Sequence, residues 1–99
     1  MLYAITGTDA PDSLPGRRAA RAAHLARVAQ LRDQGRLVLA GPHPRLDTSD
    51  PGKAGYSGSL IVAEFASLAD AEAWAASDPY LAAGVWAETN VKPFVQVMP

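Results

Sequence analysis

The sequence predicts an α+β fold of the ferredoxin-like, split βαβ type, in a single domain over residues 1–99. Three observations predict it. Four runs of β-forming residues are bounded by Gly, Pro, Asp and Ser. A long stretch rich in Ala, Leu, Arg and Gln lies between the first and second runs. A shorter helical stretch lies between the third and fourth. The resulting order, β-α-β-β-α-β, puts both helices on one sheet face, and the other face then needs a cover.

The first strand is "MLYAITGT", over residues 2 to 7, followed by the turn residues of "DAPDSLPG". Ser13 or Asp12 is the expected N-cap of a helix that runs to Gln34 and stops at Gly35. "RLVLAGP" is a short, nearly continuous apolar strand, the pattern of an element buried on both faces. "HPRLDTSDPGKAG" lacks apolar periodicity and is expected as a loop. "YSGSLIVAEF" is the third strand, with Gly58 leaving room for a close approach. Ser67-Leu68-Ala69-Asp70 caps a second helix through Ala76. "SDPYLAAG" starts a short helix with an Asp-Pro pair, and "VWAETNVKPFVQV" is the last strand, with Pro93 marking an edge or a bulge.

Nine basic and ten acidic residues give a formal charge of -1, so no field of one sign draws in nucleic acid or an anionic membrane. No apolar run reaches the roughly 20 residues that span a bilayer. The first residues lack a basic start and an apolar signal core, and a cytoplasmic location is the default expectation. With no cysteine, disulfides, thiolate metal sites and cysteine nucleophiles are excluded. The usable chemistry is His, carboxylate, hydroxyl and Arg.

Projected at about 100° per residue, Leu14, Arg17, Arg21, His24, Leu25, Val28 and Leu31 share one broad face of the long helix. Leu25, Val28 and Leu31 explain how its second half packs. Two arginines and a histidine in the first half are costly for packing alone. One reading has the arginines snorkelling past the sheet edge and His24 capping the core with a satisfied ring nitrogen. The other is functional and rests on position. Counted from caps near Ser13 and Ser67, His24 and Asp78 each lie about 16 Å along parallel helix axes, at about 1.5 Å per residue. An Asp set against a His fixes its tautomer and raises its basicity, as a proton-transfer site requires. Asp78 is also a natural cap before Pro79, and one carboxylate serves both roles.

Ser57 and Ser59 flank Gly58 and offer hydroxyls to a ligand, and Tyr80 stands beside Asp78. His43 with Asp47 or Asp50 has no recognised metal-ligand spacing and reads as solvated loop. No G-x-S-x-G elbow is present to support a serine nucleophile.

"YAI", "RAARAAHLARVAQL", "GRLVLAGP", "GYSGSLIVAEF", "ADAEAWAASDPYLAAGVWA" and "VKPF" together resemble the YciI-like family of the dimeric α+β barrel superfamily, in order and over nearly the whole chain. The resemblance implies a homodimer packed through the sheet face and an active site centred on His24 and Asp78. Relatives in the wider superfamily resemble lactone isomerases and dehalogenases of aromatic-ring breakdown, and some members of the YciI-like group resemble dehydrochlorinases of chlorinated hydroxyhydroquinones.

The first expected function is acid-base proton transfer, as a lyase, isomerase or hydrolase, on a small cyclic or aromatic molecule without metal or cofactor. His24 is then the acid or base, Asp78 its orienter, and Arg21 or Arg17 an anion clamp. The alternative is a non-catalytic dimer that binds a small ligand in the same pocket. RNA binding through an RRM-like sheet is disfavoured, because Ser and Leu stand where stacking aromatics belong.

Overall fold

A computed structural model of the chain describes residues 1–99. Its elements are β1 (Leu2–Asp9), α1 (Leu14–Asp33), β2 (Leu37–Pro44), β3 (Tyr56–Glu64), α2 (Leu68–Ala76), α3 (Pro79–Ala82) and β4 (Trp86–Phe94). The strands form one antiparallel sheet in the order β2-β3-β1-β4. This is the ferredoxin-like α+β fold that the element order predicts. No helix is long and apolar enough to cross a membrane.

In β1, Tyr3, Ile5, Gly7 and Asp9 alternate inward toward the helices. The strand continues two residues past its expected end at Gly7, and the Ala10 amide still bonds the Val85 carbonyl at 2.8 Å. Asp9 reads as a turn former, but its inward carboxylate finds partners at the start of α1, in Arg17 and in the residue just before the helix. Ser13 is one of them. Its hydroxyl donates to Asp9 at 2.6 Å instead of capping α1, so the expected side-chain cap is absent.

The far end of α1 follows the sequence. Gly35 takes φ 71°, its amide bonds the Arg32 carbonyl, and the Arg36 amide reaches back to the Leu31 carbonyl at 2.9 Å. These two bonds form a Schellman motif, which uses carbonyls that the helix would otherwise leave open.

β2 departs from expectation. It is an edge strand, and every residue from Val38 to Pro44 is exposed rather than buried on both faces. Its apolar run serves separate ends. Leu37 joins the core, Ala40 and Pro42 line a cavity, and Leu39 remains 47% exposed on the open sheet face. β2 also extends to Pro44, with His43 opposite Gly58, so the expected loop is shorter. A single 3-10 turn, Gly52–Ala54, interrupts the rest of it. The strand buried on both sides is β3, flanked by β1 and β2.

α2 starts as its sequence predicts, with the Ser67 hydroxyl accepting from the Asp70 amide at 3.1 Å. β4 is the other edge, as Pro93 suggested. It ends at Phe94 rather than Val97 because its partner, β1, begins at Leu2 opposite Phe94. Beyond that pair there is nothing to bond.

The core lies between the helices and one sheet face, around Ile5, Leu31, Ile61, Ala75, Val85 and Trp86. Leu25, expected in the buried stripe of α1, is 43% exposed at the edge of the cavity described next.

Candidate active site

α1 supplies His24, and the turn between α2 and α3 supplies Asp78. Asp78 is fully buried and performs its capping role: its Oδ1 accepts the Tyr80 amide at 2.9 Å. His24 Nδ1 stands 2.9 Å from both Asp78 oxygens. A carboxylate at that distance accepts a hydrogen bond from Nδ1–H, so the imidazole lone pair lies on Nε2. The hydrogen bonds of His24 within the protein are all made by Nδ1, which leaves Nε2 without a protein partner, and His24 lines the cavity.

Two further groups hold the pair in place. Arg27 donates through Nη1 to Asp78 at 3.2 Å and through Nη2 to the Trp74 carbonyl at 2.8 Å, with its guanidinium 4.3 Å above the Trp74 ring. The Tyr80 ring stacks on the His24 imidazole at 4.0 Å and 18°, and Trp86 meets the imidazole edge-on at 5.7 Å. The indole sits directly on Gly7, where a Cβ would lie 2.5 Å from ring carbons. His24 is therefore fixed on three sides.

Arg17 belongs to a second buried cluster. Its Nε donates to Asp9 at 2.6 Å, and Nη2 donates to Asp9 at 2.8 Å, to the Ser59 hydroxyl at 2.9 Å and to the Gly58 carbonyl at 3.1 Å. The guanidinium lies about 5 Å from the centres of the Tyr56 and Tyr80 rings. Its charge is answered by Asp9, which leaves Arg18 and Arg21 as the unpaired guanidinium groups lining the cavity. Burial pushes the Tyr80 phenol above its ordinary pKa of 10.0, partly opposed by Arg17 and Arg21. Tyr80 is therefore a neutral O–H donor at physiological pH.

The cavity has a volume of about 320 Å³. Its lining is mixed: Arg17, Arg21, His24, Tyr56, Ser59 and Tyr80 are among its polar residues, and Val28, Ala40, Pro42 and Ile61 among its apolar ones. Such a mixed wall suits a small ring with polar substituents. Of the residues singled out in the sequence, Arg17, Arg21, His24, Ser59 and Tyr80 meet here, with Asp78 directly behind His24. Ser57 does not. It is exposed, and its hydroxyl turns to the His43 carbonyl at 3.4 Å, where the β2–β3 pairing is irregular.

Asp9, Arg27, Tyr56 and Trp86 were not singled out. Two of them left a trace: Arg27 follows His24 by one helical turn, and extending the alternation of Tyr3, Ile5 and Gly7 by one step places Asp9 inward. Nothing local marks Tyr56 or Trp86.

This topology is that of the small ferredoxin-like α+β proteins, and in this chain it sets a buried His-Asp contact beside a cavity. Residues 1–95 match the YCII-related domain, and the chain belongs to that family. It is 55% identical over 97 residues to Protein YciI of Escherichia coli O6:H1, covering 98% of this chain and 99% of that protein. An uncharacterized protein of Haemophilus influenzae is 47% identical over the same length. Among solved structures, the chain is similar to the 5-chloro-2-hydroxyhydroquinone dehydrochlorinase TftG of Burkholderia phenoliruptrix AC1100, in complex with 2,5-dihydroxybenzoquinone. The TM-score is 0.83 at 29% identity, covering 96% of this chain and 94% of that one. PA3566 of Pseudomonas aeruginosa shares the fold alone, with a TM-score of 0.51 at 15% identity.

Proposed function

We propose that this protein is an enzyme that moves a proton on a small cyclic or aromatic molecule, with His24 as general base and acid. The observation that carries the reading is the contact of His24 Nδ1 with both oxygens of the buried Asp78, which leaves Nε2 unpartnered on a cavity-lining residue. Nε2 takes a proton from a substrate O–H or C–H, and Asp78 stabilises the imidazolium that forms. The electron pair left behind stays on the ring as an enolate or phenolate, or expels a leaving anion such as chloride. In the first case imidazolium returns the proton to another atom of the ring system; in the second it passes the proton to solvent, so that H+ and the anion are both lost from the substrate. Arg21 and the Tyr80 hydroxyl face the developing negative charge.

The ring-compound substrate class draws support from TftG, whose structure holds a dihydroxybenzoquinone. We take the protein to act as a homodimer whose second copy covers the open sheet face, in the cytoplasm. The deciding experiment is a spectrophotometric screen of hydroxylated and chlorinated ring compounds, with His24→Gln beside the native protein. Turnover lost in the folded variant supports the reading. Turnover unchanged removes it, and binding of such compounds with no product favours a non-catalytic ligand-binding dimer.

A further inference from the structure

Of the nine Lys and Arg side chains, four have hydrogen-bond or ion-pair partners in the protein: Arg17, Arg27, Arg32 and Arg36. Nine minus four leaves Arg18, Arg21, Arg45, Lys53 and Lys92. Four of these five line two adjoining cavities. Arg21 lines the His24 cavity, Arg45 and Lys53 line a second one of about 660 Å³, and Arg18 lines both. In a chain with a net charge of -1, composition alone does not gather unpaired cations in one place.

The second cavity lies between the amino end of α1 and the 45–55 segment. Leu14, Arg18 and Tyr56 are its common wall with the first. Its carboxylates are Asp9 and Asp12, and Asp9 is occupied by Arg17 and Ser13. Among the groups lining this cavity, Arg18, Arg45 and Lys53 thus stand against Asp12, an excess of two positive charges; Asp50 lines the first cavity. Because the Ser13 hydroxyl is turned to Asp9, no side chain caps the α1 amino end beside this cavity. The helix dipole adds to the positive potential that the three side chains create.

We propose that the second cavity is a subsite for a dianionic group, carried by a ligand whose other end reaches His24. The charge excess matches a phosphate ester or a pair of carboxylates better than a single carboxylate, and guanidinium groups suit both. Arg18 precedes His24 by about 9 Å of helix axis, at about 1.5 Å per residue. A ring at His24 bearing a dianionic group on a linker of several bonds reaches both cavities. The substrate class thereby narrows to ring compounds with such a substituent. This step rests on the proposed function for its catalytic end, whereas the anion subsite stands on its own.

The test is a titration of the full-length protein with inorganic phosphate and, separately, malonate, followed by backbone amide NMR shifts. Saturable shifts are expected at Arg18, Arg45, Lys53, Ala54 and Gly55, weakening as salt is raised. Arg45→Gln/Lys53→Gln should lower the affinity at least about tenfold. Those side chains are exposed, and Lys53→Gln alone serves if the pair disturbs folding. Tighter phosphate than malonate binding identifies a phosphoryl group, and the reverse order identifies paired carboxylates. Scattered or unsaturable shifts with both probes, or unchanged affinity in the variants, overturn the subsite. Loss of turnover in His24→Gln without an anion subsite sinks this inference alone. An anion subsite with turnover indifferent to His24 sinks the proposed function alone.

Discussion

Asp78 addresses His24 with both carboxylate oxygens, 2.9 Å each from Nδ1, while one of those oxygens also receives the Tyr80 amide that begins α3. Cap and orienter are the same group, and a substitution can separate them. Asn retains an oxygen that caps as well as Asp does. Its amide can also turn N–H toward His24, which moves the imidazole proton to Nε2 and takes away the base. Asp78→Asn should therefore unfold within about 2 kcal/mol of the native protein in urea. Its turnover should fall by about 10²- to 10⁴-fold. Full turnover in a folded Asp78→Asn variant would contradict the role given to Asp78.

The Arg17-Asp9 pair carries a different prediction, because its side chains are 7% and 0% exposed and make two short contacts. Removing one member of such a pair leaves the other charge buried, which costs about 3 to 5 kcal/mol. Asp9→Asn should show this loss in urea unfolding. Asp9→Asn/Arg17→Met should recover part of it, since neither charge remains. A double variant that loses the full sum of the two single effects would show that the two residues act independently.

Why the sequence disclosed one cluster and hid part of the other follows from where each partner lies. His24 and Asp78 were legible because two helices of one topology, starting after Ser13 and Ser67, fix heights along their axes, and the contact depends on those heights. Arg17 was legible as an oddly polar residue on a buried stripe, but its partner was not, since Asp9 stands in a run of turn formers and its pairing is tertiary. β2 misled for a similar reason. "RLVLAGP" is apolar enough for a central strand, and only the pairing order reveals that it lies at an edge, with its residues divided between core, cavity and open face. Trp86 is the extreme case. Its place against His24 depends on the missing side chain of Gly7, on another strand.

Gly7→Ala tests that dependence. The new methyl would meet the indole at 2.5 Å, so the ring or the strand has to move. Overpacking of this kind costs about 1 to 3 kcal/mol. Because Trp86 also touches His24 and Tyr80, turnover should fall along with stability and tryptophan fluorescence should shift. A variant with native stability and an unchanged spectrum would show that the glycine is not required by the indole.

Tyr80 predicts a pH dependence of stability. Burial raises its folded-state pKa above 10.0, so as pH rises past 10.0 the unfolded chain loses this proton first. Above that point the unfolded state is stabilised relative to the folded one. The contribution is complete below the unfolded value and is lost as pH climbs through the folded value. Urea unfolding of the native protein and of Tyr80→Phe, compared from about pH 9 to pH 11, should show the native protein losing more stability than the variant. Parallel curves would mean that Tyr80 titrates alike in both states.

The open sheet face carries the last prediction. Leu39, Val62, Ala4 and Lys92 face one another across β2, β3, β1 and β4, and Leu60 and Phe94 share that side. Leu39 and Phe94 are 47% and 40% exposed, yet Val62 between the strands is already 4% exposed, so this face is apolar at its centre and uncovered at its rim. A sheet with helices on one side alone gains by burying such a face, and a second copy brings the same face to meet it. Light scattering should then give twice the 10.4 kDa chain mass. Leu39→Glu, which adds a charge at a position already exposed in the single chain, should halve that mass without unfolding the protein, because two like charges would be brought together out of water. A native protein that is monomeric at micromolar concentration, or a Leu39→Glu variant that remains dimeric, would place the cover elsewhere.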